Sequence, residues 1–309
     1  MPIKIPDNLP ARKTLSIESV DLIDSSAAEK QDIRPLKFLL LNLMPKKIIT
    51  EIQFARLIGA SPVQIELTLM TTKSYNPRNT KKDYLIEFYK TLDDVKETFF
   101  DVLIITGAPV ETLPFEKVEY WKELLEIVDW SKTNVFRRIG ICWGAQALLK
   151  ILFNVDKHKL PSKMFGVYDH SLIDINNRLL HGFIDHFPMP VSRFTENRKE
   201  EILKNNLDLI AFSEISGVGM VRCPKTKDLF ILNHLEYDAS TLNDEYLRDL
   251  KENTNIQLPE NYYPKNDSKR KPVNRWRPYA FLLFSNFIND VYQNTPFNLK
   301  EYFKKKKSN

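Results

Sequence analysis

A chain of 309 residues, 43% hydrophobic and 28% charged, has the composition of a soluble globular protein and length enough to bury a sizeable core in one large or two small domains. No run approaches the ~18 apolar residues of a membrane span, and the charged opening residues lack the apolar segment of a secretory signal, so a cytoplasmic protein with no membrane partner is expected. The net charge of +5 comes from scattered lysines without a nucleic-acid motif, which suits a phosphate-bearing small substrate better than nucleic acid; two cysteines and five histidines show no ligand spacing, so no metal is expected.

Residues 1–35, Pro-rich at first and then mixed around Ser25-Ser26-Ala27-Ala28-Glu29, read as an arm on the domain. Residues 36–43 form a near-continuous apolar run of the kind buried on both faces of a parallel sheet. The loop to Lys47 follows, and Thr50-Glu51 then opens a helix through Phe54, Leu57 and Ile58, closing near Gly59. Lys47 thus falls at the carboxyl end of a strand, where ligands bind in open α/β sheets, or is simply a solvated lysine. Residues 63–71 alternate as a second strand, Leu85, Phe88, Tyr89 and Leu92 suggest a helical piece, and residues 101–106 are a third strand. It ends in Gly107-Ala108-Pro109-Val110-Glu111, where Glu111 is either an exposed loop charge or a substrate selector. Residues 116–130 place Val118, Trp121, Leu124, Leu125 and Val128 on one helical face.

The stretch Arg138-Ile139-Gly140-Ile141-Cys142-Trp143-Gly144-Ala145-Gln146 reads as strand, sharp turn and helix. Glycines two before and two after the cysteine permit the tight corner, which lifts the sulfur out of the sheet beside the amino end of the next helix. There, unpaired N–H groups favour a thiolate and a developing oxyanion, so on this motif alone Cys142 is a candidate nucleophile or equally a small buried hydrophobe. A second apolar strand ends in His234-Leu235-Glu236; the histidine can take the thiol proton and the carboxylate can hold its tautomer. Four strand–helix alternations through residue 153 predict a doubly wound, mostly parallel flavodoxin-like sheet, whose loops bring Lys47, Glu111 and Cys142 to one edge.

Residues 163–175 and 191–194 read as loops with short strands, carrying Lys163, Tyr168, His170, Ser192 and Arg193, each by default a surface residue. Residues 209–212, 217–222 and 229–233 are three more strands, and residues 240–251 a helix capped by Ser240, with acidic Asp244 and Glu245 early and solvated Arg248 and Asp249. A long connection over 253–275 and a last apolar helix over 276–291 complete a single domain over 36–300, followed by a basic tail, 301–309, expected to be disordered.

With these pieces placed, the chain resembles the homoserine O-acyltransferases of methionine biosynthesis, within the class I glutamine amidotransferase-like superfamily. The resemblance rests on residues 1–10, Leu39 to Lys47 with Thr50-Glu51 and Gln53, Thr106-Gly107-Ala108-Pro109, Ile141 to Ala147, Gly166-Val167-Tyr168, His234 with Glu236-Tyr237-Asp238, and Trp276-Arg277. It implies a Cys142 acyl-thioester, His234 as base, Glu236 as its orienting carboxylate, and an oxyanion site that includes the Trp143 N–H. It further implies that Lys163, Ser192 and Arg248 bind the amino acid, that Lys47 assists acyl-CoA, and that Glu111 separates acyl donors, a glutamate there resembling the acetyl-CoA enzymes. Acetyl-CoA then acts as co-substrate and L-homoserine as acceptor, with no tightly bound cofactor and a homodimer left open. A succinyl-CoA enzyme and a glutamine-hydrolysing subunit are the alternatives. Two departures are Asn233, where the family usually has glycine, and Tyr279, where a histidine is common.

Overall fold

The computed structural model describes residues 3–18, 20, 22–24, 34–75, 80–174, 177–252 and 256–308. The Ser25 to Glu29 run, parts of the polar stretch near residue 78 and the start of the 253–275 connection lie outside them. In chain order, β1 (Ile3–Lys4), α1 (Ala11–Ile17) and β2 (Leu22–Ile23) precede β3 (Leu36–Leu41), α2 (Lys47–Gly59) and β4 (Ile65–Met70). Then come α3 (Lys82–Phe88), β5 (Tyr89–Lys90), α4 (Leu92–Val95), β6 (Phe100–Ile105), α5 (Trp121–Asn134), β7 (Val135–Ile141) and α6 (Trp143–Phe153). The second half holds β8 (His158–Leu172), β9 (His186–Glu196), α7 (Lys199–Lys204), β10 (Asp208–Ser213), β11 (Gly217–Arg222), β12 (Leu229–Ile231), α8 (Thr241–Lys251), α9 (Arg277–Asn294) and α10 (Leu299–Ser308).

Among the described residues these strands make one twelve-stranded sheet, ordered β2-β1-β4-β3-β6-β7-β12-β11-β10-β8-β9, with β5 beside β4. Its centre, β4-β3-β6-β7-β12, is parallel throughout. That is the 2-1-3-4-5 order of a flavodoxin-like sheet, whose ligands gather beyond the carboxyl ends of the strands. β3, apart from the exposed Lys37 near its start, and β6 are buried on both faces because helices cover both sides, which explains their nearly continuous apolar runs. Strands β8–β11 pair antiparallel and enter the chain between β7 and β12.

Several expectations change here. Residues 163–172 and 191–194 are not loops with short strands: they belong to the long β8–β9 hairpin, and Tyr168, His170 and Arg193 are buried in it rather than exposed, while residue 175 lies outside the described residues. Alternating hydrophobicity is weak in that stretch because polar side chains point into the site instead of water. The amino-terminal segment adds parallel strands to the edge of the sheet. The tail is helical over Leu299–Ser308, and Phe303 is buried in a stack on Phe99, 5.9 Å between centroids. Helix α2 starts at Lys47, earlier than the Thr50 start, and Ser240 makes no side-chain cap.

Two packing constraints set the position of β7 and the helix after it. A Cβ at Gly144 would lie 2.4 Å from Ile105 O and 2.5 Å from Thr106 O, and one at Gly140 would lie 2.5 Å from Ala145 Cα. Strand β6, strand β7 and α6 therefore meet closer than any side chain allows. Midway along β7, the buried Arg138 guanidinium bonds Asp228 through Nε at 3.0 Å and Nη2 at 2.7 Å, while Arg138 N donates to the same carboxylate at 2.8 Å. This locks β7 beside β12, the two strands that carry Cys142 and lead to His234. Gly144→Ala should cost about 3 kcal/mol of unfolding free energy in a denaturant titration; a loss below about 1 kcal/mol would mean that the strand–helix spacing relaxes freely. Asp228→Ala, which strands a buried guanidinium, should cost about 3–5 kcal/mol, and an unchanged midpoint would exclude that locking role.

Candidate active site

Cys142 stands at the corner between β7 and α6 with φ 49° and ψ −116°. A non-glycine residue holds such a backbone only where its surroundings impose it, at a cost of about 1–3 kcal/mol. The surroundings are the glycine contacts just described and the Cys142 N–H, which donates to Ile231 O of β12 at 2.7 Å. Gly107, after β6, abuts the other side: a Cβ there would sit 3.4 Å from both Cys142 Cβ and His234 Cε1. Three strand ends therefore converge on one sulfur.

His234 follows β12, its Nδ1 2.7 Å from Glu236 Oε1 and its ring hydrogen-bonded to Cys142. The carboxylate on Nδ1 fixes the tautomer and leaves Nε2 for the sulfur side. Burial opposes charge on His234, yet the Cys142 sulfur and the Glu236 carboxylate outweigh it and hold the imidazole's pKa well above the ordinary histidine value. Tyr237 stacks on the imidazole, 4.0 Å between centroids at 18°, and Trp276 Nε1 donates to Tyr237 O at 2.8 Å. The Trp276-Arg277 pair thus buttresses the histidine, with Arg277 Nη2 2.7 Å from Asp238 Oδ1.

Beside this centre lies a cluster of both charge signs. Lys163 Nζ is 2.7 Å from Asp249 Oδ2 and 3.7 Å from Glu245 Oε2, and lies 4.0 Å from the centroid of the Phe165 ring. Arg248 Nε donates to Asp249 Oδ1 at 2.8 Å, with half its side chain in solvent. Ser192 Oγ and Tyr237 Oη both donate to Glu245. Burial works against ionisation of Asp249, but hydrogen bonds from Lys163 and Arg248 prevail and hold its pKa below the ordinary carboxylate value. Lys163, Ser192 and Arg248 are thus joined through two carboxylates, Glu245 and Asp249, that the sequence reading left as helix-surface charges. Their four-residue spacing on α8 was the available signal, since it places both on one face.

Glu111 is half-buried, with Lys157 Nζ bonded to its backbone oxygen. Burial raises its carboxyl pKa, Glu245 adds to the rise, and Lys163 and His234 oppose it, so its charge shares the field of the active centre. A cleft of about 270 Å³ runs from Glu111 along Phe115, Lys157 and Thr195. Lys47 is buried at the start of α2, not solvated; Nζ donates to Asn42 O, and burial, against the pull of Glu51, lowers its pKa to about 8. The Trp143 indole is fully buried against Phe115, Tyr120 and Trp121, so only its backbone N–H is available to the centre. Tyr279 packs on Phe183 and Phe187 at 5.4 and 5.6 Å, away from the charged groups.

Comparison with known proteins follows from this geometry. A solved glutamine amidotransferase from Thermotoga maritima superposes with a TM-score of 0.55 over 84% of this chain and 99% of its own, at 14% identity, a likeness of fold alone. A protein from Desulfitobacterium hafniense strain Y51 named homoserine O-acetyltransferase is 50% identical, covering 97% of this chain and 99% of its own. One of the same name from Clostridium acetobutylicum is 49% identical over 97% of this chain and 100% of its own. A homoserine O-succinyltransferase from Pelagibacterium halotolerans is 48% identical over 97% and 98%. The family model described as homoserine O-succinyltransferase matches residues 2–297, and this chain belongs to that family.

Proposed function

We propose that the protein transfers an acetyl group from acetyl-CoA to the hydroxyl of L-homoserine through a thioester on Cys142, a step of methionine biosynthesis. The observation that carries this reading is the juxtaposition of the Cys142–His234–Glu236 line with a partly buried cluster holding both cations and carboxylates. A glutaminase needs the first feature as much as an acyltransferase does. The second suits a free amino acid, whose carboxylate meets Lys163 and Arg248 and whose ammonium meets Glu245; glutamine would fit it too, and the relatives at 48–50% identity named homoserine acyltransferases favour homoserine.

In the first half-reaction the Cys142 proton passes to His234 Nε2 and the sulfur attacks the acyl carbonyl. The tetrahedral oxyanion is held by backbone N–H groups at the elbow, Trp143 among them. The CoA sulfur then leaves with the proton from His234, and the acyl group remains on Cys142. In the second half-reaction the homoserine hydroxyl gives its proton to His234 and its oxygen attacks the thioester. Cys142 departs and recovers that proton, and Glu236 stabilises the imidazolium at each turn. Lys47 supports the loop from Asn42 beneath the incoming acyl-CoA.

Names of relatives divide between acetyl and succinyl donors, so the donor rests on Glu111. Burial and Glu245 already penalise its charge. The free carboxylate of a succinyl group would add to that penalty, whereas an acetyl group carries none. Thiol release should require L-homoserine and should be faster with acetyl-CoA than with succinyl-CoA; preference for succinyl-CoA would overturn the assignment of Glu111. Cys142→Ala should lower turnover by at least about 10³-fold and abolish the acetyl mass gain seen on the parent protein without homoserine, and a labelled variant would rule out the covalent route. Glu111→Gly should move the ratio of kcat/KM values about tenfold toward succinyl-CoA, the equivalent of ~1.4 kcal/mol, and an unmoved ratio would remove Glu111 from donor choice.

A further inference from the structure

Strand β12 ends at Ile231, yet the base sits three residues later, at a point where the ladder no longer fixes the chain. What holds residues 232–234 instead comes mainly from β9. Pro190 O accepts the His234 N–H at 2.9 Å, and Leu232 N donates to Gly219 O at 2.9 Å. Arg193, three residues beyond Pro190 on β9, directs Nη1 to both Leu232 O, at 3.2 Å, and Asn233 Oδ1, while Nη2 donates to Ser216 O. The other arm of Asn233 reaches His170 Nε2 at 2.8 Å, which also lies 3.2 Å from Ser216 Oγ.

The direction of every bond in this cluster is determined. His170 Nδ1 lies 2.9 Å from Tyr168 O, a group that can only accept, so Nδ1 carries the proton and Nε2 accepts. Asn233 must then donate through Nδ2 and turn Oδ1 toward the guanidinium, which can only donate. Burial pushes the His170 pKa down to about 3, so this arrangement persists unchanged across neutral pH. Arg193, Asn233, His170 and Ser216 are all buried, and the Arg193 guanidinium, which feels the Glu196 carboxylate nearby, gives its hydrogen bonds to carbonyl oxygens. A buried guanidinium spent on carbonyl groups is an expensive clamp unless the geometry it holds is needed. Arg193 Nη1 holds the carbonyl of Leu232 and the side chain of Asn233, the two residues immediately before His234. Asn233 does not have a positive φ, so its backbone does not call for glycine, and its side chain is what links the two halves of the cluster.

We propose that Arg193, acting through Asn233 and braced by His170, is a positioning residue that holds the peptide carrying His234 in line with Cys142. Adjacent residues of β9 then serve opposite faces: Ser192 turns to Glu245 in the amino-acid cluster, and Arg193 turns to the base. The inference rests on the acyl-transfer reading for its kinetic assay, though not for its geometry.

The test compares the full-length parent with Arg193→Lys, which keeps charge but loses the fork, and Asn233→Ala, which removes only the carboxamide and so spares the fold if the arginine variant does not. For folded variants with melting curves matched to the parent, kcat should fall by about 10²-fold, while the KM for homoserine stays within about threefold because the amino-acid cluster lies on the other face of β9. A kcat near the parent value in folded Asn233→Ala, or a loss confined to KM, overturns the proposal. Alkylation of Cys142 by iodoacetamide needs no substrate, and it should slow at least about fivefold in Asn233→Ala if the histidine is displaced. If the parent shows no acyl transfer, the functional reading fails while the alkylation comparison still decides the inference, and equal alkylation rates overturn it.

Discussion

The structure depends on one close approach, the meeting of Gly144 with the carbonyl groups of Ile105 and Thr106. Only a residue without a Cβ lets α6 start so near the end of β6. That proximity forces the chain to reverse at Cys142 with a backbone that a side-chain-bearing residue otherwise avoids, and the reversal points the sulfur away from the sheet. The local cost is borne by the buried parallel centre, where β3, β6 and β7 lie in continuous register and are covered on both faces. A rigid scaffold of this kind can hold a strained corner because its own strands have no cheaper arrangement to relax into.

His234 is placed by a different kind of constraint. β12 is three residues long, and the histidine lies past its end, so polar side chains do what a ladder does elsewhere. Glu236, Tyr237 and Trp276 brace the imidazole from one side, and the β8–β9 hairpin braces its backbone from the other. This division explains why an antiparallel half is joined to a parallel sheet at β12. The parallel half presents Cys142, and the antiparallel half carries the arms that hold His234 and the side chains of Lys163 and Ser192.

Charge in the site is balanced rather than concentrated. Lys163 and Arg248 each meet Asp249, Glu245 receives Ser192 and Tyr237, and Glu111 feels both signs at once. A zwitterionic acceptor can exchange places with such internal pairs without leaving a buried charge uncompensated, which is the main expense of binding ions in a dry site. Lys47 follows the same logic on the other side of the sheet edge, where it and Glu51 share a buried pocket with Tyr84 and Tyr89.

The amino-acid sequence by itself determined the parallel centre, since strands buried on both faces must be nearly all apolar and the glycine spacing about Cys142 permits little but a sharp corner. It also marked the histidine and glutamate at the second strand end, because two polar groups at fixed spacing after an apolar run are conspicuous. It did not disclose the β8–β9 hairpin, whose inward side chains include Tyr168, His170 and Arg193 and so break the alternation by which strands are read. Nor did it separate Glu245 and Asp249 from ordinary helix-surface acids, or show that the carboxyl-terminal basic run continues as a helix with Phe303 buried. Those features depend on which surfaces meet across long stretches of chain, and a polar residue paired inside a site has the same local pattern as one left in water. Tertiary packing alone decides between them, by supplying or withholding the partner.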